Sequence, residues 1–232
     1  MISRIAGLVI RPRATLADLV RQPRWLATWL SILIIWAVCA GWLLGTDIGR
    51  QAVVDERVRV LETFGRTVSD AEYAALQAAP PWWVYFTSGG RVLLAPPVTL
   101  VVGWLLWVIA RADRQSATVA AITLSQTLTV VVYASVALLI GQLVATPIHY
   151  VRESLTSPLN LAAVLPLMEE GTLPSRFFGT LDVFALWWAT LLAVGLSVLT
   201  GRPVTRYVWP VLGVFFGFAA VVAAVIAATG GA

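Results

Sequence analysis

Long apolar runs alternate with polar stretches along the whole chain. Each run has at least about the 20 residues that a helix needs to cross a hydrocarbon core about 30 Å thick. The runs predict membrane-spanning helices at residues 25–45, 91–110, 117–145, 180–199 and 207–228. The pattern therefore predicts an all-α polytopic membrane protein, in which a five-helix transmembrane bundle forms a single domain.

The polar stretches carry helical patterns of their own. Residues 1–24, divided by Pro12, place aliphatic side chains at helical spacing among Arg residues. This is typical of an amphipathic helix in the membrane interface, and it also suits a flank that only orients the first span. Residues 46–90 predict a helical segment outside the membrane, with a capping box at Ser69–Glu72. Residues 146–179 predict a loop on the same side.

The composition supports this class and gives it an orientation. Of the 232 residues, 59% are hydrophobic and 12% are charged, which excludes a water-soluble domain of this size. All 16 basic residues are Arg, a usage typical of GC-rich bacterial genomes. With the N-terminus inside, nine Arg and two acidic residues are cytoplasmic, against seven Arg and ten acidic residues outside. The positive-inside rule then predicts a cytoplasmic N-terminus, an outer C-terminus and a bacterial inner membrane.

One face of the third span is polar. Gln126, Thr129 and Tyr133 follow each other at i, i+3 and i+7, which places them on the same side of a helix. Unpaired polar groups that face lipid are costly, so this face is predicted to point into the bundle and bind neighbouring helices. The alternative is that it lines a polar cavity or a substrate path.

The fourth run carries a carboxylate, Asp182, just inside its start. If Thr180 caps this helix, Asp182 lies in the first turn, where the helix dipole favours a negative charge. Pro158 is predicted to turn the preceding loop. The alternatives for Asp182 are a proton or ion site, or a buried polar contact with Asn160, Arg152 or Arg176.

Small residues form stripes on the last two spans. Ala185, Ala189 and Ala193 recur on one side of the fourth, and Gly213 and Gly217 form a GxxxG arrangement in the fifth. Such stripes let two helix backbones approach closely. The pattern leaves open whether the approach occurs within one chain or between two.

Catalytic or ligand-binding groups with usable spacing are missing from the sequence. His149 is the one histidine and Cys39 the one cysteine, so neither a cysteine metal cluster nor an internal disulfide can form. The adjacent Glu169 and Glu170 are interpreted as solvated loop charges. We therefore predict a protein without enzymatic activity, metal or cofactor.

Several residue groups share the pattern of a known membrane family. They are Pro12, Thr15, Leu16, Pro23 and Trp25 before the first span, Tyr133–Ser135 in the third, Ser157–Asn160 in the loop, and Leu181–Asp182, Phe184, Trp187 and Gly195–Leu196 in the fourth. On these residues the chain resembles the bacterial branch of the Yip (Ypt/Rab-interacting protein) domain family. The resemblance implies a five-span membrane protein without enzymatic activity. Eukaryotic members of that family bind Rab-type GTPases and one another in vesicle traffic.

Two functional hypotheses follow. The first is an integral membrane adaptor or organiser, accessory to an export or trafficking machinery, that associates with another membrane protein or with itself. Its basic N-terminal segment, with Arg11 and Arg13, would bind the lipids of an anionic leaflet. The alternative is a transport component that moves a lipid or small amphiphile, with Pro96–Pro97 as a bend. Nucleic acid is not a predicted partner, because the Arg residues are scattered between apolar spans.

Overall fold

The structure is a computed structural model that describes residues 2–113, 121–157, 159–164 and 172–229. Within these residues the regular elements are helices, and extended backbone pairs only at one isolated antiparallel bridge. The helices are α1 (Ile2–Ile10), α2 (Pro12–Arg21), α3 (Leu26–Leu44), α4 (Asp47–Thr63), α5 (Asp70–Gln77), α6 (Pro81–Ala112), α7 (Leu124–Ala134), α8 (Val136–Arg152), α9 (Leu161–Val164), α10 (Leu173–Gly179), α11 (Val183–Thr200) and α12 (Thr205–Thr229).

Within the described part of the chain, five helical stretches are long and apolar enough to cross a membrane. They are Leu26–Leu44, Val92–Ala112, Leu124–Arg152, Val183–Thr200 and Thr205–Val225. The prediction of a five-span, all-helical membrane protein is therefore confirmed. The third stretch is made of α7 and α8, which meet at Ser135.

Ser135 lies between the two helices, and its hydroxyl donates to the Val131 carbonyl at 2.9 Å. Serine side chains that bond back to the preceding turn often bend a helix.

The same span continues to Arg152, so His149 lies in the last turns of α8, whereas the sequence pattern predicts a loop there. The His149 ring nitrogen Nδ1 is 2.7 Å from the Ser154 carbonyl oxygen.

The helix that contains the second span begins before the span itself. Helix α6 starts at Pro81 and contains Pro96 and Pro97 in its interior. Proline suits the first helical position, because its missing amide hydrogen would have no helical partner there. The double proline therefore lies in the interior of α6 and does not mark its start, and residues 81–90 belong to the same helix.

The chain forms two compact units. The first contains Met1–Ile35, Leu94–Leu139 and Phe184–Phe215, and the second contains Trp36–Leu93, Ile140–Val183 and Phe216–Ala232. In the first unit, buried side chains of α7 and α11 form the core together with residues of α2, α6, α8 and α12 and with Ile122, which precedes α7. The core residues are Val20, Leu106, Ala110, Ile122, Val130, Val131, Ala134, Ala137, Leu191, Leu192, Ala193, Leu196 and Tyr207.

The second unit contains the end of α3 together with α4 and α5. The Thr46 hydroxyl caps α4 by accepting the Gly49 amide at 3.0 Å. The predicted capping box opens α5, where Ser69 and Glu72 each bind the other's backbone amide. Leu44 and Val53 are buried against each other, so α3 and α4 are joined by both a cap and an apolar contact.

Candidate functional site

The polar face predicted on the third span lies inside the first unit. Thr129 and Tyr133 are only 0% and 3% exposed. The Tyr133 hydroxyl accepts hydrogen bonds from the Thr28 hydroxyl at 3.1 Å and from the Arg4 guanidinium at 3.4 Å. Buried hydroxyl groups are normally paired in this way. Tyr133 thereby links α1, α3 and α7.

Gln126 performs a similar function at the start of α7. Its side-chain oxygen accepts the Thr123 amide at 2.9 Å, and its side-chain nitrogen donates to the Val20 carbonyl at 3.2 Å. The Thr129 hydroxyl donates to the Ser125 carbonyl of its own helix at 2.7 Å. The predicted polar face thus binds α2 and its own backbone.

A second cluster, around Asp113 at the end of α6, is not predicted from the sequence. The Arg206 guanidinium binds both carboxylate oxygens, with Nη2 at 2.8 Å from Oδ1. The Tyr207 hydroxyl donates to Oδ2 at 2.8 Å, and Arg202 Nε lies 3.9 Å from Oδ1. A two-point Arg–carboxylate pair fixes orientation as well as charge. The cluster joins the end of α6 to the turn between α11 and α12.

A third cluster, in the second unit, surrounds Asp182. Asn160 and Asp182 face each other in the antiparallel bridge, flanked by two backbone hydrogen bonds of 2.8 and 3.2 Å. The Ser157 hydroxyl donates to Asp182 Oδ2 at 2.9 Å, and the Asn160 amide donates to the Ser157 carbonyl at 3.0 Å. The bridge fastens the loop to the residue that precedes α11. Pro158, the predicted turn residue, lies outside the described residues.

The predicted cap of the fourth span is wrong. Thr180 terminates α10, and its hydroxyl donates to the Phe177 carbonyl at 2.7 Å. Helix α11 begins at Val183, so Asp182 lies immediately before the helix instead of in its first turn. The physical reason is that a short helix, α10, fills the segment that the sequence pattern predicts as loop.

The glycines of α12 face open space. A Cβ atom added to Gly213 or Gly217 would meet nothing within 4 Å. In contrast, a Cβ on Gly195 of α11 would overlap Val130, and one on Gly103 would lie 2.5 Å from Leu128 Cδ2. Gly195 and Gly103 thus serve packing within the chain, whereas no described residue packs against the Cβ position of Gly213 or Gly217.

Comparison with known proteins identifies the family. The model of the Yip1 domain matches residues 6–227. The chain belongs to the Yip1 domain family. The match confirms the resemblance identified from the sequence and extends from α1 to α12. Searches of curated proteins and of solved structures found no match.

The family assignment agrees with the helices. A Yip1 domain chain with five helices able to cross a membrane is a multi-pass membrane protein, of a kind associated with membrane trafficking and with binding to other proteins. The family is not known for enzymatic activity. The described residues also contain no group of three His, Cys, Asp or Glu side chains that could hold a metal ion.

The Asp113 cluster of this Yip1 domain protein is not predictable from the sequence, because its members are far apart along the chain. Arg206 follows Asp113 by 93 residues. The sequence pattern explains Arg202 and Arg206 as cytoplasmic charge only. One available signal is that Asp113 is one of two acidic residues among the nine Arg on the predicted inner side. An isolated carboxylate among many cations is a candidate ion-pair partner.

We expect the Asp113 cluster to make stability depend on pH. The hydrogen bonds from Arg206 and Tyr207 hold the pKa of Asp113 below its usual range, and the charges of Arg206 and Arg202 act in the same direction. Because the pKa of Asp113 is lower in the folded than in the unfolded protein, its ionised form stabilises the fold at pH values above the ordinary carboxyl pKa of about 4. This stabilisation is lost as the pH falls through the pKa that Asp113 has in the folded protein. In detergent, the thermal midpoint should therefore fall on acidification more steeply for the natural protein than for Asp113→Asn. Equal slopes would contradict the role of the cluster.

Proposed function

We propose that this Yip1 domain protein is a non-enzymatic membrane adaptor that associates with another membrane protein or with a second copy, as an accessory of an export or trafficking machinery. The proposal is carried by the open glycine face of α12. Gly213 and Gly217 lie one helical turn apart, both exposed. In a bilayer, small residues at this spacing let a neighbouring helix backbone come close enough for extensive van der Waals contact.

The contrast between the glycines supports this reading. A helical glycine costs about 1 kcal/mol relative to alanine, so its retention in a helix interior calls for a reason. At Gly195 the reason is the contact with Val130 inside the first unit. At Gly213 and Gly217 the missing side chain serves no contact within the described chain. A contact with another helix supplies the missing reason.

The proposed setting is the bacterial inner membrane, with the whole chain as one membrane domain. We place the N-terminus in the cytoplasm and the C-terminus outside, because this orientation puts nine of the 16 Arg residues inside with only two acidic residues. A single family match from residue 6 to residue 227 supports the single domain.

Transport of a lipid or small amphiphile has less support. The polar face that would form its path is engaged by hydrogen bonds within the protein: Gln126 binds the Val20 carbonyl, and Tyr133 binds Thr28 and Arg4. A substrate moving along this face would have to break these bonds in a largely buried environment, at a cost of about 1 to 3 kcal/mol for each group left unpaired.

Replacing Gly213 and Gly217 together with leucine is expected to abolish association. The two side chains would hold a neighbouring helix away and remove its close contacts, while facing open space in their own chain. Crosslinking in native membranes, followed by purification in mild detergent and mass spectrometry, measures the association. We expect the amount of crosslinked species to fall at least about tenfold. A tenfold decrease corresponds to a loss of about 1.4 kcal/mol in the free energy of association.

Ala27→Leu is the matched control. Ala27 lies in α3, within another candidate span, and is exposed. A similar increase in size there should leave the crosslinked species intact. A natural protein that yields only monomer after gentle extraction and crosslinking would overturn the proposal, and so would equal loss in Ala27→Leu.

A further inference from the structure

The N-terminal hairpin of α1 and α2 buries most of its aliphatic side chains on the protein. The sequence pattern predicts that these side chains dip into lipid, but Leu8, Leu16 and Leu19 are buried within the first unit. Val9 and Ile10 are the exception, at 56% and 75% exposed. They occupy the last two positions of α1, directly before the turn into α2.

Hydrogen bonds through Tyr133 connect the hairpin to the N-terminal end of the first span. The Arg4 guanidinium and the Thr28 hydroxyl both bind the Tyr133 hydroxyl. Thr28 is the third residue of the candidate span Leu26–Leu44, whose first residues we place at the cytoplasmic boundary of the hydrocarbon core. Ile10 ends α1, a helix of nine residues that is about 14 Å long, so it lies within that distance of the tie to Tyr133 at Arg4.

Positive charge flanks the exposed pair. Arg11 and Arg13 follow it immediately and are exposed. Anionic headgroups attract each such residue near a membrane surface by about 1 kcal/mol. An apolar tip with cationic neighbours matches the cross-section of an anionic monolayer, where acyl chains lie beneath phosphate groups.

We infer that the turn between α1 and α2 inserts Val9 and Ile10 into an anionic lipid monolayer, with Arg11 and Arg13 on the headgroup phosphates. Aliphatic side chains that reach the acyl boundary leave water, and two cations beside them hold the tip in place. The inserted part is thus the tip of the hairpin instead of the whole amphipathic segment. This inference does not depend on association through α12.

A fluorescent label on the tip tests the inference. In the full chain with Cys39→Ser, Ile10→Cys is labelled with an environment-sensitive nitrobenzoxadiazole dye. The protein is reconstituted in phosphatidylcholine alone or with about one quarter phosphatidylglycerol as the anionic lipid. With phosphatidylglycerol, we expect quenching by bromine-labelled lipid and protection from aqueous iodide. Asp18→Cys is the matched control on α2, since the Asp18 side chain is 78% exposed and should remain accessible to iodide.

Removing the cations should weaken insertion. In the labelled protein, Arg11→Gln and Arg13→Gln are expected to lower the equilibrium for insertion about fivefold each, while Gly213→Leu with Gly217→Leu leaves it unchanged. A tip that iodide reaches in both lipids would overturn the inference. So would protection that rises with the density of protein in the vesicles, because a second copy would then cover the tip. Equal protection with and without phosphatidylglycerol would exclude the anionic monolayer.

Discussion

Replacing Gly195 with leucine is expected to lower the free energy of unfolding by about 3 kcal/mol. Even the first carbon of a new side chain would overlap Val130, with Cγ2 at 3.0 Å and Cβ at 3.1 Å in addition to a closer contact with Cγ1. Val130 is fully buried in the core of the first unit, so it has little room to turn away. Denaturation by a graded increase in sodium dodecyl sulfate, followed by tryptophan fluorescence, measures the loss.

A pair of smaller substitutions tests the mechanism of that loss. Gly195→Ala should destabilise through the contact with Val130, and Val130→Ala should destabilise by leaving a cavity. The double variant should lose less than the sum of the two, because the new methyl group occupies the space that valine vacates. A coupling of about 1 to 2 kcal/mol is expected for residues in direct contact. Strict additivity would show that the clash does not cause the loss.

Hydropathy predicts the five spans because each signal is contained within a single run of the chain. The capping box at Ser69–Glu72 is predictable for the same reason, since its two partners are three residues apart. The family resemblance also rests on short local groups of residues. Local information therefore gives the number and type of the membrane-spanning elements.

Contacts between distant segments are not predictable in this way. Asp113 and Arg206 are 93 residues apart, and the sequence treats the latter only as a topogenic charge. Pairing between Gly195 and Val130 depends on which faces of α7 and α11 meet, whereas the small-residue pattern only indicates that a close approach occurs.

The N-terminal hairpin illustrates a limit specific to membrane proteins. Lipid tails and protein cores are both apolar, so an aliphatic stripe predicts burial without predicting what covers it. Leu16 and Leu19 of α2 are covered by protein, whereas Val9 and Ile10 of α1 are exposed. All four residues have the same character in the sequence. Only the folded structure distinguishes aliphatic side chains that pack inside the protein from those that a partner can contact.

Replacing Gly49 with alanine is expected to destabilise the second unit by about 3 kcal/mol. A Cβ atom there would lie 2.6 Å from the carbonyl carbon of Leu43 and would overlap its oxygen. Backbone atoms cannot rotate away as a side chain can, so the turn between α3 and α4 must open. Opening would also separate the Gly49 amide from the Thr46 hydroxyl, a cap worth about 1 kcal/mol, and would disturb the contact between Leu44 and Val53.

Hydrogen exchange locates this effect. In Gly49→Ala, the backbone amides of α4 should exchange about 100-fold faster, because a loss of about 3 kcal/mol raises the open population by that factor. The α11 residues of the first unit should keep their protection. Gly179→Ala is the control, since a Cβ at Gly179 meets nothing within 4 Å and the exchange of α4 should not change. Thr46→Ala, which removes only the cap, should accelerate exchange about fivefold. If Gly49→Ala gave no more than this smaller effect, the steric contact with Leu43 would not determine the stability of the turn.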